Sequence, residues 1–99
     1  MFYLANVAHP ARQCPGTESQ KFKQFIEKFS ANNLSKVRIS LLAAYIDYSC
    51  LTGSTGKDHL TTFVMEAESV EKIAKVFDPM SVDIRQVNFW ENIPGPQKS

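Results

Sequence analysis

The chain has 99 residues, of which 43% are hydrophobic, and this length and composition are typical of one domain with one hydrophobic core. The chain has eleven Lys and Arg residues and ten Asp and Glu residues, which gives a formal net charge of +1. Because the charges are also interspersed, the composition argues against a nucleic-acid-binding protein that works by neutralising phosphates.

The sequence carries no pattern of a membrane or secreted protein. No apolar segment approaches the ~20 residues of a transmembrane helix, and the N-terminus lacks the features of a signal peptide. Two cysteines, Cys14 and Cys50, are too few for a disulfide framework. We therefore expect a cytoplasmic protein with reduced thiols and no membrane partner. A Cys14–Cys50 disulfide is an alternative that this setting disfavours.

The first third of the chain predicts a strand followed by a helix. Residues 2–8 form an apolar run that ends at His9 and the proline after it, as expected for a strand. Thr17 and Gln20 have the spacing of a helix capping box. Behind them an apolar stripe at helical spacing predicts an amphipathic helix that stops near residues 32–33. The stripe consists of Phe22, Phe25, Ile26 and Phe29.

The remaining two thirds predict three strands and a second helix. Residues 37–51 and residues 60–67 are rich in apolar and aromatic residues and flank a glycine-containing turn at 52–58, which predicts a hairpin. Ser69 is the predicted N-cap of a second helix that ends at Asp78-Pro79, and residues 82–90 form the predicted fourth strand. The apolar stripe of this helix consists of Val70, Ile73, Ala74 and Phe77.

This order of elements, β-α-β-β-α-β, predicts an α+β domain with a ferredoxin-like fold. Right-handed crossovers give a four-stranded antiparallel sheet with the strand order 4-1-3-2. We expect residues 1–93 to form the domain and residues 94–99 a flexible tail. The second and fourth strands are apolar on both faces, which indicates a homodimer with a partner sheet on one face. Trp90 would be a dimer anchor or a pocket wall.

The predicted topology brings distant polar residues to one edge of the sheet. His9 ends the first strand, Cys14 follows in the next loop, Cys50 ends the second strand and His59 begins the third. Neighbouring strands lie about 4.8 Å apart, so these side chains should meet. The sequence therefore predicts a cluster of His9, Cys14 and His59, with Asp58 or Cys50 in support.

Two kinds of chemistry fit this cluster. Imidazole and thiolate ligands suit zinc, copper or nickel, and three protein ligands would leave one position open for water. Alternatively, a Cys14 thiolate beside an imidazole base could act as a nucleophile. The spacing contains no CxxC or HxxxH motif, so residues at a loop edge without chemistry are a third interpretation.

Several of these residues also carry a resemblance. The chain resembles a family of small uncharacterised ferredoxin-like proteins in two places. The first is the strand that ends in His9, followed by the loop with Cys14-Pro15. The second is His59 with residues 63–67 and the helix that ends near Phe77. The resemblance covers most of the chain. It implies a dimeric α+β barrel, in which two such sheets pack face to face. It implies no established activity.

Polar residues within the predicted strands define a second candidate site. When they are buried, such side chains need polar partners, and together they could line a small-molecule pocket. Alternatively they face solvent or pair with each other, as Arg85 would with Asp47 or Glu66. The candidates for this pocket are Asn6, Tyr45, Asp47, Tyr48, Thr62, Glu66, Arg85 and Gln86.

Three functions are consistent with the sequence. The first is a small-ligand-binding dimeric α+β barrel protein. The second is a small metal- or thiol-dependent enzyme that uses His9, Cys14 and His59. The third is a structural or interaction module whose dimer is its product.

Overall fold

The computed structural model describes residues 1–53 and 56–88. The strands are β1 (Phe2–His9), β2 (Ser40–Ile46), β3 (His59–Glu66) and β4 (Asp83–Val87). The helices are α1 (Gln20–Glu27), α2 (Ala31–Ser35), α3 (Tyr48–Thr52) and α4 (Val70–Phe77), and a short 3-10 turn (Ala11–Gln13) follows β1. Trp90, the end of the predicted fourth strand and the predicted tail at 94–99 lie outside the described residues.

The strands form one antiparallel sheet in the order β2-β3-β1-β4. Read from the β4 edge, this order is 4-1-3-2. The expected α+β domain with a four-stranded antiparallel sheet is therefore confirmed. The central pair is β1 with β3, whose register runs from Phe2 opposite Glu66 to His9 opposite His59.

The helices pack on the sheet face that carries the odd-numbered residues of β1 and β3. On this face Ala5, Phe63 and Met65 are buried completely or nearly so, in contact with an aromatic cluster from the helices. The ring of Phe29 stacks on that of Phe63 with centroids 4.4 Å apart, and Phe77 packs at 5.4 Å from Phe63. This apolar cluster is the core of the domain.

The predicted bounds of the second strand, residues 37–51, are wrong at both ends. β2 spans only Ser40–Ile46, and the chain then turns into α3. The cause is Asp47, whose Oδ1 accepts a hydrogen bond from the backbone N–H of Ser49 at 2.9 Å and so caps the new helix. Periodicity alone does not reveal this break, because Tyr48 and Leu51 continue the apolar pattern of the strand.

The first predicted helix is divided into two. The N-cap of α1 is Ser19, whose Oγ accepts from Phe22 N at 3.1 Å, and not Thr17. α1 ends at Glu27, and Ser30 caps the separate helix α2 by accepting from Asn33 N. Local hydroxyl caps therefore set both starts.

The second predicted helix and the fourth strand are placed close to their predicted positions. α4 spans Val70–Phe77 with Ser69 at its N-cap, although the Ser69 side chain makes no capping hydrogen bond. β4 spans Asp83–Val87, within the predicted range 82–90. Among the described residues, no helix is long and apolar enough to cross a bilayer.

The end of α2 has an unusual residue at a position that favours glycine. Arg38 has a φ of +59°. Its N–H donates to Ser35 O at 3.1 Å, and the N–H of Ile39 donates to Leu34 O at 3.0 Å, which is the hydrogen-bond pattern of a Schellman motif. The side chains of Leu34 and Ile39 are buried, so this turn anchors α2 to the core.

We expect Arg38→Gly to raise the free energy of unfolding by about 0.5–1 kcal/mol, because glycine adopts the left-handed conformation without the steric penalty of a Cβ atom. The exposed Arg38–Glu68 pair, at 3.9 Å, contributes little that would offset this gain. Urea denaturation provides the measurement. Lys36→Gly is the matched control, because Lys36 has a helical φ of −62° and glycine should destabilise the protein there. A loss of stability in Arg38→Gly would contradict the prediction.

Candidate metal centre

The two histidines of the chain face each other at one end of the two central strands of the sheet. His9 is the last residue of β1 and His59 the first of β3, and they are direct partners in the antiparallel register. Their ring centroids lie 5.1 Å apart in an edge-to-face arrangement. His59 is 1% exposed, whereas His9 is half-buried. The predicted meeting of the two imidazoles at one edge is confirmed.

Cys50 reaches the two histidines from α3. Its Sγ lies 3.3 Å from His59 Nδ1 and 3.9 Å from His9 Nε2. The sequence placed Cys50 at the end of a strand, but a helical turn capped by Asp47 carries it. Asp47 also ties this turn to β3, because its Oδ2 accepts a hydrogen bond from Leu60 N at 3.0 Å.

Cys14 completes the cluster from the loop after β1. Cys14 directly follows the 3-10 turn Ala11–Gln13, and its N–H donates to Ala11 O at 3.1 Å. One ligand atom each from His9, Cys14, Cys50 and His59 lie within 4.8 Å of one another. All histidines and cysteines of the chain are therefore in one group.

The composition of the group differs from the predicted one in two respects. Cys50, predicted only as a supporting residue, is a full member and is buried. Asp58 is exposed and is not part of the group, although its carboxylate acts to raise the pKa of His9 against the larger lowering effect of burial. Both cysteines are free thiols, so no Cys14–Cys50 disulfide is present.

The surroundings shift the pKa values of three members. Burial, followed by the charge of His59, lowers the pKa of His9. Burial acts to raise the pKa of Cys14, but hydrogen bonds from the Gly16 backbone, His59 and Cys50 outweigh it and lower the value overall. Burial and the nearby Cys14 thiol raise the pKa of Cys50 to about 11. The two thiols are therefore chemically unequal.

The donor set is that of a tetrahedral transition-metal site. Two imidazole nitrogens and two thiolate sulfurs form the Cys2His2 set found at structural zinc sites. With Zn–S bonds of about 2.3 Å and Zn–N bonds of about 2.0–2.1 Å, neighbouring ligand atoms are roughly 3.3–3.8 Å apart in a tetrahedron. The Cys50 separations of 3.3 and 3.9 Å are close to these values. The group can hold a metal ion after small side-chain movements.

A cavity of about 340 Å³ borders this group. His9, Cys14 and Cys50 form part of its wall, and α1 and the sheet contribute the apolar side chains of Phe22, Phe25, Val7, Ala8 and Ile46. Its size is at the lower end of the range for small-molecule sites.

The eight residues of the predicted polar pocket do not line this cavity. Asn6, Thr62 and Tyr45 lie side by side on the opposite sheet face, where Thr62 Oγ1 donates to Asn6 Oδ1 at 2.7 Å. Tyr45 and Tyr48 are 64% and 75% exposed. The remaining members are the cap Asp47 and the exposed side chains of Glu66, Arg85 and Gln86.

The expected pairing of Arg85 with Asp47 or Glu66 is not found. Arg85 Nε instead donates to Asp83 Oδ2 at 3.2 Å, on its own strand β4. Residues two apart on a strand point to the same face, which brings Asp83 within reach of Arg85 without any contact between strands.

Comparisons with protein-family models, with curated proteins and with solved structures find no match to this chain.

We expect Asp47→Ala to lower the midpoint of thermal unfolding, because the substitution removes the hydrogen bonds to both Ser49 N and Leu60 N. Asp47→Asn keeps one carboxamide oxygen as an acceptor and should be intermediate. Thermal denaturation followed by circular dichroism measures both changes. An Asp47→Ala protein as stable as wild type would show that the cap does not hold α3.

The effect of Asp47 should also depend on pH. The hydrogen bonds from Ser49 and then Leu60 lower the pKa of the Asp47 carboxyl below its ordinary value. A lowered native pKa stabilises the fold above the unfolded value of about 3.9, and this contribution is lost as the pH falls through the native pKa. The stability difference between wild type and Asp47→Asn should therefore shrink below about pH 4. A difference that stays constant from pH 7 to pH 3 would contradict this.

Proposed function

We propose that this protein binds one transition-metal ion through His9, Cys14, Cys50 and His59. The observation that carries the proposal is that four nitrogen and sulfur donors, from four separate segments, lie within 4.8 Å of one another. Zinc and copper(I) suit a tetrahedral set of two nitrogens and two sulfurs, and nickel is the third candidate.

The burial of the group supports binding of a metal ion. Cys50 is 8% exposed and His59 1%, so a metal ion bound between them would be largely shielded from water. Burial lowers the pKa of His9, which favours the neutral imidazole, the form that binds a metal ion. A cation between the thiols would also compensate the cost of forming a second thiolate at Cys50.

The first test is metal binding by the untagged protein. We expect one Co²⁺ ion per chain, with the thiolate-to-cobalt charge-transfer absorption of a tetrahedral site, and displacement of cobalt by Zn²⁺. Because the ion binds only the folded state, zinc at a hundred times its dissociation constant should stabilise the protein by about 2.7 kcal/mol. Absence of charge-transfer absorption at excess cobalt would end the proposal.

Substitution of single ligands tests the membership of the group. We expect Cys50→Ser and His59→Ala each to weaken zinc binding by more than about 100-fold, which exceeds the usual effect of removing a residue that only supports a ligand. Asp58→Asn is the matched control, because Asp58 lies next to His59 in the chain but outside the group. Equal losses in Asp58→Asn would indicate a general charge effect and not coordination.

We further propose that the chain has a ferredoxin-like arrangement and forms a homodimer through the open face of its sheet. This face carries the even-numbered residues of β1 and β3, including Leu4 and Val64, which are paired in register. Leu60 and Tyr45 on the same face remain 46% and 64% exposed. A second copy of this face would cover these apolar side chains, as in a dimeric α+β barrel.

We expect Val64→Lys to raise the dimer dissociation constant at least about tenfold, because two ammonium groups would be buried at the centre of the contact. Light scattering combined with gel filtration measures the mass over a dilution series. Ile26→Lys on α1, where Ile26 is 43% exposed on the helix side of the sheet, is the control and should leave the mass unchanged. A wild-type protein that is monomeric at all concentrations would refute the proposed dimer.

A further inference from the structure

The metal group and the neighbouring cavity form one continuous site. Three of the four ligand residues, His9, Cys14 and Cys50, lie in the cavity wall, whereas His59 does not. A metal ion held by the group would therefore be next to any molecule that fills the cavity. This inference rests on the metal binding proposed above.

The four ligand residues are not held equally firmly. His9 and His59 are on paired strands, and Cys50 is on α3, which Asp47 fixes to β3. Among the four, Cys14 alone lies outside a strand or a helix, in the loop after the 3-10 turn. Cys14 is also half-buried where Cys50 is buried. It is the ligand whose place another molecule can take with least disturbance of the fold.

The cavity wall defines the chemistry of that molecule. Most of the wall is apolar, and Phe22, Phe25, Ile46 and Met80 are among its residues. Among the wall residues in the described part of the chain, Lys21 is the one with a fixed charge, and this charge is positive. A volume of about 340 Å³ accommodates a molecule of the size of a substituted aromatic ring. The site thus favours a small apolar body with a head group that is soft and neutral or anionic.

We propose that this cavity binds small organic thiols with an apolar body, whose sulfur replaces Cys14 on the metal ion. In this exchange the bond between the metal and Cys14 Sγ breaks and a bond from the metal to the incoming sulfur forms. The proton of the incoming thiol passes to the Cys14 sulfur, so charge and atoms balance without an oxidant or a reductant. A thiolate is a preferred ligand of zinc and copper(I), so the incoming sulfur is as suitable a ligand as the Cys14 sulfur that it replaces.

The test uses the cobalt-loaded Cys14→Ala protein, in which the coordination position on the cavity side is vacated. We expect 2-phenylethanethiol to restore the lost charge-transfer absorption at a concentration at least about tenfold lower than 2-mercaptoethanol, because its ring is buried in the cavity. 2-Phenylethanol, with the same ring and no sulfur, should not restore it. Ultrafiltration establishes that the cobalt stays with the protein.

A cavity-blocking variant is the matched control. Ser81 lies in the cavity wall and is otherwise exposed, so Ser81→Trp in the Cys14→Ala background should obstruct the cavity without disturbing the core. We expect it to remove the tenfold preference for 2-phenylethanethiol. If Cys14→Ala holds no cobalt by itself, cobalt and thiol are added together. We then expect 2-phenylethanethiol to form the ternary complex at concentrations where 2-mercaptoethanol forms none.

The outcomes separate this inference from the metal site itself. Thiol binding in the cavity would be overturned if both thiols restored the absorption at the same concentration, or if 2-phenylethanethiol extracted the cobalt. Either result would leave cobalt binding by the wild-type protein intact. Failure of the wild-type protein to bind cobalt would overturn both. Restoration that depends on the ring, on the sulfur and on an open cavity would support the inference.

Discussion

The antiparallel pairing of β1 with β3 is the constraint on which the candidate metal centre depends. Side chains alternate between the two faces of a sheet, so the burial of Ala5 and Phe63 against the helices also determines the face of His9 and His59. A slip of one residue in either strand would turn its imidazole to the opposite face and expose the aromatic core. The hydrophobic packing therefore positions the histidines, although neither of them belongs to the core cluster.

The second determinant is local. Asp47 ends β2 and begins α3 through its hydrogen bond to Ser49 N, and a second hydrogen bond, to Leu60 N, attaches the turn beside His59. A strand that continued through residue 50 would extend away from the edge of the sheet, since strands rise about 3.3 Å per residue. The helical turn instead folds the chain back, and Cys50 Sγ lies 3.3 Å from the His59 ring.

The sequence predicts the sheet and the meeting of the histidines because both follow from long-range topology and the alternation of apolar residues. It does not predict the role of Cys50, because the apolar residues from 37 to 51 also fit one long strand. The sequence feature that indicates the break is Asp47, a residue type that commonly caps the start of a helix. The helix-covered face could not be chosen from the sequence, since the apolar residues of β2 and β4 do not alternate cleanly. Arg38 likewise occupies a position where glycine would be expected.

The aromatic core makes the apolar packing of the domain independent of the proposed metal centre. Small domains that depend on a metal ion usually lack enough apolar packing of their own. Here Phe29, Phe63 and Phe77 form a continuous buried cluster with contacts between all three rings. The His9–His59 pair lies beyond it, where β1 ends and β3 begins. Burying His59 and Cys50 there carries a desolvation cost that the aromatic core does not require, and the proposed metal ion would offset part of this cost.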